Sequence, residues 1–134
     1  MEAAAFEGRW RIARRIEDRA GGPQGHFAGV GRFAPAGGGL DYAEEGELRL
    51  GEAVFAASRA YRWVFRAGGV DVLFADGRFF HGFDWAAAVA EHPCGADLYR
   101  VRYDFGRWPD WAAVWEVRGP RKDYVMRSHY RREG

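Results

Sequence analysis

A single antiparallel, up-and-down β-barrel of about nine to ten strands is the all-β fold that this sequence predicts. Three observations predict it. Hydrophobic residues make up 48% of the chain and aromatic residues 16%, and rings in that number suit a pleated, half-buried surface. Apolar and polar residues alternate at period two in one segment after another. A Gly- or Pro-rich break follows each strand-length run, with no long helical pattern between, which is the spacing of an all-β domain. So many strands with large inward rings are better served by closing on themselves than by a flat sheet with open edges. A β-sandwich is the alternative that the same pattern allows. The chain, residues 1–134, has no linker long enough to divide it and reads as one domain.

The elements follow in order. The first strand runs from about Gly8 to Asp18, with Trp10, Ile12 and Ile16 on one face and Arg9, Arg11, Arg15 and Glu17 on the other. Gly21-Gly22-Pro23 breaks it. The second strand, about Gly25 to Ala34, carries Phe27 and Phe33 with Gly29 and Gly31 between them; glycines inside a strand mark a bend, which a small barrel needs. After a turn at Pro35–Gly39 the third strand holds Leu40, Tyr42, Glu44, Leu48 and Leu50 in phase. The fourth sets Tyr61, Trp63 and Phe65 against Arg62 and Arg66, and Gly68-Gly69 reads as a tight hairpin. Val70, Val72 and Phe74 form the fifth.

Asp76-Gly77 predicts a type I′ turn, and Phe79, His81 and Phe83 alternate beyond it. Trp85–Glu91 is Ala-rich and predicts a helical turn or a short lid. After Pro93, Tyr99, Val101, Tyr103 and Phe105 share a face. Gly106–Asp110 is a loop. Trp111, Ala113, Trp115 and Val117 share the next face, and a last strand follows Gly119-Pro120, from about Lys122 to Arg131.

Charge and cysteine content narrow the function classes. Lys+Arg 20 against Asp+Glu 19 gives a net charge of +1, so no global field draws nucleic acid or acidic lipid. The cations Arg118, Arg121, Lys122, Arg127, Arg131 and Arg132 crowd the end of the chain; the balanced charge reads them as a solvated strand face with a basic tail, and nucleic acid is not the expected partner. Cys94 is the one cysteine, which excludes an intrachain disulfide. The first residues lack a basic start and a sustained apolar core, and no run approaches the length of a membrane-spanning helix, so the cytoplasm is the expected location.

Gly8-Arg9-Trp10 on a first strand, followed by a meander, resembles the Gly-x-Trp signature of the calycin superfamily, to which the lipocalins belong. The resemblance implies that Gly8 and Trp10 close one end of the barrel under a basic residue from a late strand, Arg121 or Arg127. Phe6-Glu7-Gly8-Arg9-Trp10, Leu73-Phe74-Ala75-Asp76-Gly77-Arg78, Cys94-Gly95-Ala96-Asp97-Leu98-Tyr99-Arg100-Val101 and Gly119-Pro120-Arg121-Lys122-Asp123-Tyr124 together resemble a bacterial family of unknown function. That family is similar in shape to lipocalins, fatty-acid-binding proteins and the haem-binding nitrobindins. It implies a fold and transfers no catalytic residue.

The candidate site residues follow from alternation within that shape. Phe27, Tyr42, Trp63, His81 and Tyr99 line the expected cavity, and Glu44 or His81 fixes the polar end of a small, largely apolar ligand. A filled core in which these groups satisfy one another is the competing reading. A small enzyme using Glu44 and His81 as an acid–base pair is one alternative; a protein or nucleic-acid interaction module is another. A nitrobindin-like barrel would hold haem through His81, but no cofactor is expected. No metal is expected either: His81, His92 and Cys94 are the only clustered soft ligands, read as a core His, a surface His and a buried thiol. Strand edges leave room for a homodimer. With Trp10 at the floor, the Trp85–Glu91 segment and the loop around Trp108 are the expected covers of the opposite, functional end.

Overall fold

A computed structural model describes residues 1–133. A four-residue helix, α1 (Ala3–Phe6), leads into ten antiparallel strands: β1 (Gly8–Asp18), β2 (Gly25–Ala36), β3 (Gly39–Leu50), β4 (Ala53–Arg66), β5 (Gly69–Phe74), β6 (Phe79–Asp84), β7 (Val89–Cys94), β8 (Asp97–Arg107), β9 (Asp110–Gly119) and β10 (Lys122–Arg132). Each strand pairs with its neighbour in sequence except β6 with β7, and β1 also pairs with β10. The sheet order is β6-β5-β4-β3-β2-β1-β10-β9-β8-β7. The two edges, β6 and β7, are consecutive in the chain and share no ladder. They meet through the single bridge Asp84↔Ala87 and through Phe80, whose ring stands 5.1 Å from that of His92. The result is a nearly closed up-and-down barrel of calycin-like shape, as the sequence predicts. None of its described helices is long and apolar enough to cross a membrane.

Because the strands alternate in direction, the hairpin tips alternate between two ends. At one end lie the chain's N-terminus and the β2–β3, β4–β5, β6–β7 and β8–β9 connections; at the other lie β1–β2, β3–β4, β5–β6, β7–β8 and β9–β10. The first end is plugged by α1. Phe6 inserts its ring 4.8–6.1 Å from those of Phe33, Trp63, Trp85, Phe105, Trp108 and Trp111. Gly8 turns the chain from helix to strand with φ +113°, a conformation that L side chains rarely adopt. β2 and β3 approach closely at the paired Gly29 and Gly46. A Cβ on either glycine would strike a carbonyl oxygen of the paired strand, Glu45 or Ala28.

Three local expectations need correction. Trp85–Glu91 is neither a helical turn nor a lid: Trp85–Ala88 is a tight connection, and Val89 already begins β7. Ala86–Ala88 fall in the connection, and only Ala90 lies on the edge strand, between Val89 and Glu91. Asp76-Gly77 is not type I′, because only Gly77 has positive φ; the connection spans the four residues between Phe74 and Phe79. A bulge between Val72 and Leu73 shifts the register, so His81 pairs with Val72 and Phe79 with Leu73. Phe80 therefore points inward beside His81, and Phe79 is 57% exposed.

Candidate functional site

The inner face of β1 carries Trp10, Ile12, Arg14 and Ile16, so period two places an arginine inside the barrel. A buried guanidinium needs partners for its donors. Arg14 finds them for four of its five N–H groups: Nη1 donates to Glu44 Oε2 at 2.6 Å, Nη2 to Glu44 Oε1 at 3.1 Å and to the Tyr130 hydroxyl at 3.3 Å, and Nε to Ser128 Oγ at 2.6 Å. The fork-to-carboxylate geometry is the strong, charge-assisted form. Tyr42 donates its hydroxyl to Glu44 Oε1 at 2.5 Å. Register explains the meeting. Ser128 lies opposite Arg14, and Arg59 lies directly across from Glu44 on β4.

Arg59 makes this cluster unequal. Its Nε stands 3.1 Å from Glu44 Oε2, close enough for an ion pair but too poorly aligned for a hydrogen bond. Two guanidiniums thus share one carboxylate, leaving one excess positive charge. Arg59 has a side chain 27% exposed, whereas those of Arg14 and Glu44 are almost wholly buried. Burial alone would raise the Glu44 carboxyl, but the hydrogen bond from Arg14, the charge of Arg59 and the Tyr42 hydroxyl outweigh it and hold the pKa below its usual value. Burial likewise opposes the charge on Arg59, and Glu44 outweighs it.

A second polar group lies across the barrel. The His81 Nε2 and Tyr103 hydroxyl are 2.9 Å apart, inside a cage that includes Phe80, Phe83 and Trp115. Burial, helped by the neighbouring His92, drives the His81 pKa down to about 3, so the ring is neutral at physiological pH. Between the two groups lies a space of about 20 Å³, lined by Glu44, Arg59, His81, Tyr103, Trp63 and Trp111 among others. That is room for about one water. Arg59 Nε, His81 Nδ1 and Trp111 Nε1, all on lining residues, have no hydrogen-bond partner among the described residues.

Towards the unplugged end the lining loosens. Leu48, Ala57, Tyr61, Phe74, Tyr99 and Met126 are half-buried against the core, and Phe55 at the rim is 49% exposed.

A family model matches residues 6–132, nearly the whole chain. The chain belongs to DUF6314, a family of unknown function. The DUF6314 barrel is similar to the S-type phycobiliprotein lyase from Guillardia theta, with a TM-score of 0.69 and 9% sequence identity, over 98% of this chain and 90% of that one. At that identity the likeness is one of fold. No curated protein matches the chain.

Of the sequence-predicted lining residues, Tyr42, Glu44, Trp63 and His81 meet around the 20 Å³ space. Phe27 is buried under the Arg14 guanidinium, 4.9 Å from its ring centroid. Tyr99 sits at the rim, where its hydroxyl accepts from Lys122 Nζ at 3.3 Å. Glu44 and His81 line the same space without a hydrogen bond to each other. A haem on His81 does not fit, because Nε2 is engaged by Tyr103 and Phe80, Phe83 and Trp115 pack around the ring. Cys94 is exposed rather than a buried thiol, and His92 is half-buried against Phe80 rather than at the surface.

The cation over Trp10 also needs correction. It is Arg132: its Cζ lies 4.1 Å from the ring centroid, and its Nη1 and Nη2 donate to Glu7 O at 2.6 Å and Ala5 O at 2.5 Å. Arg121 lies in the β9–β10 connection at the opposite end, and Arg127 points outward towards Glu17. The antiparallel register brings the last residues of β10, not its first, beside Trp10. By the same topology Trp85 and Trp108 belong to the plugged end, against Phe6, and do not cover the open one.

Sequence reasoning missed Arg14 and Arg59. Arg14 had a signal, since it falls in phase with Trp10, Ile12 and Ile16. Arg59 had the same kind of signal, since it falls in phase with Tyr61, Trp63 and Phe65, although the Ala-rich run Ala56–Ala60 gives no apolar alternation around it.

Proposed function

We propose that the DUF6314 barrel holds a small, largely apolar molecule with an acidic end, received through the end opposite α1. One observation carries this reading: the buried cluster has two guanidiniums on a single carboxylate, and its less satisfied member, Arg59, is the one open towards solvent. A carboxylate or comparable monoanion arriving at Arg59 would neutralise the excess charge. The charge-assisted bonds it formed there are stronger than neutral ones. The apolar body would rest among Leu48, Tyr61, Phe74 and Met126, which are half-buried rather than locked in the core. An aromatic-lined recess with a few placed polar groups is the usual form of such a site. That a phycobiliprotein lyase has a barrel of this shape accords with a barrel that receives another molecule. Arg14 already occupies Glu44, and His81 is neutral, which favours binding over acid–base chemistry.

The test compares decanoate with decanol, which share an apolar body and differ in the end group, by thermal shift and calorimetry. Decanoate is expected to stabilise the protein by about 2.7 kcal/mol at a hundred times its Kd, several degrees in Tm. Decanol is expected to do much less, and Arg59→Gln to abolish the difference. Equal effects of the two compounds, or an unchanged preference in Arg59→Gln, would sink the proposal.

A further inference from the structure

The outer face of the sheet presents a separate problem. Three pairs of arginines stand directly opposite one another across neighbouring strands: Arg9↔Arg32 between β1 and β2, and Arg11↔Arg131 and Arg15↔Arg127 between β1 and β10. Like charges placed directly opposite are destabilising. Arg9 and Arg127 have partial relief from Glu133 at 3.6 Å and Glu17 at 3.7 Å. Arg11, Arg15, Arg32 and Arg131 have no carboxylate within salt-bridge distance among the described residues. This concentration of charge is unexpected in a chain whose net charge is only +1.

The surface between these arginines is recessed. One groove of about 470 Å³ runs over Ala13 and Ala28, walled by Arg15, His26, Arg49, Arg127 and His129, with Glu47 its one outward carboxylate. A larger one of about 1080 Å³ lies beside it over Ala43, Ala56 and Ala60, edged by Arg9 and Arg32 on one side and interrupted by Glu45, across from Val30. The small floor residues leave the guanidiniums standing above the backbone as walls. From Arg9 to Arg15 the face extends about 20 Å at about 3.3 Å per residue.

We propose that this face binds an extended acidic segment of a partner protein, with carboxylates at alternating positions that meet successive arginine pairs. Arg suits such contacts, since its planar fork takes a carboxylate through two bonds. The face fits a peptide better than the other polyanions. Single-stranded nucleic acid needs rings on which to stack its bases, and the outward positions of β10, β1, β2 and β3 carry no Phe, Tyr or Trp among the described residues. A membrane surface would call for projecting apolar side chains, and those beside the arginines, Val30 and Val114, are half-buried. This face lies outside the barrel and does not depend on the interior site.

The test uses the whole protein and fluorescence anisotropy. The probes are a labelled peptide of alternating Glu and Ala, its Gln–Ala counterpart, and an oligothymidylate of similar length. The acidic peptide is expected to bind best and to weaken with salt. Arg11→Glu together with Arg15→Glu is expected to weaken it at least about ten-fold. The same variant turns two repulsive pairs into attractive ones, so its Tm is expected to hold or rise, which separates lost binding from lost folding. Arg32→Ser, a single exposed change, is expected to give a smaller loss in the same direction. The proposal is overturned if the Gln peptide binds equally, if both variants bind as the parent does, or if the oligothymidylate binds more tightly than the acidic peptide. Decanoate binding is expected to survive in these variants.

Discussion

The two ends of the barrel are built from the same kinds of residue and put them to different uses. At the plugged end Trp10 donates Nε1 to Phe6 O at 2.9 Å, and Arg132 caps its ring while donating to two backbone carbonyls. The cation there satisfies the chain's own backbone and leaves the closure complete. In the middle of the barrel, facing the other end, Arg14 and Arg59 divide one carboxylate between them, and the aromatic wall beyond is only half-buried. An arginine beside rings is therefore not a signature of either stability or function. What distinguishes the ends is the cation's partner: Arg132 donates to backbone carbonyls, whereas Arg59 stands on a carboxylate that Arg14 already holds.

The largest effect that tests this contrast is expected from Trp10→Ala. Removing a fully buried indole costs about 3–5 kcal/mol, and the upper part of that range applies because α1, Arg132 and Trp108 all rest on the ring. Chemical denaturation measures it. The loss is expected to be the same with and without decanoate, relative to the parent in the same condition, because the plug touches no part of the proposed site. A decanoate response that vanished in this folded variant would mean that the two ends are not separate in function.

Glu44→Gln is expected to cost somewhat less, about 3 kcal/mol. Breaking a buried ion pair leaves an uncompensated charge, although Gln still offers Arg14 an acceptor. Here the ligand is expected to matter. With Glu44 gone, a carboxylate at the cluster meets two unneutralised guanidiniums, so decanoate should recover more stability in Glu44→Gln than in the parent. An equal or smaller recovery would show that ligand and cluster are independent. The contribution of Glu44 also depends on pH. Its folded pKa is lowered, so its stabilisation is present above the ordinary carboxyl value of 4.5 and is lost as pH falls through the folded one.

Much of this arrangement was legible in the sequence because strand alternation is a local property. Trp10 and Ile12, Tyr42 and Glu44, and Trp63 all fall inward where period two puts them. Arg14 shares that parity. Reading it correctly requires accepting a charge on a buried face, which becomes plausible only once Glu44 is known to stand opposite, 30 residues away. The choice of Arg132 over Arg121 and Arg127 depends on which end each hairpin reaches, a consequence of strand count and direction. The inward Phe80 depends on one extra residue in β6, and a bulge leaves no mark in a run of Phe-Phe-His. Local patterns gave the strands, and long-range register decided which charges meet.

The smallest expected effect concerns His81, whose place between the two ends makes it a probe of how dry the middle is. Its folded pKa is depressed to about 3 by burial and by His92, against 6.5 for an exposed ring. The unfolded chain therefore binds the proton more readily. The contribution of His81 to stability is fully present above 6.5 and declines as pH falls towards 3, at about 1.4 kcal/mol per pH unit in the steep part. Between pH 5 and 6.5 the loss attributable to Glu44 has not begun, so the two are separable. His81→Gln is expected to be less stable than the parent at pH 7.5, through imperfect pairing with Tyr103. Its stability is expected to fall less steeply from pH 6.5 to 5, by up to one proton's worth of slope. Urea denaturation across that range measures both. If parent and variant have parallel pH profiles, His81 is protonated with little penalty, and the middle of the barrel is hydrated rather than filled. A hydrated middle would also enlarge the space beside Arg59 and carry the ligand site deeper than the rim.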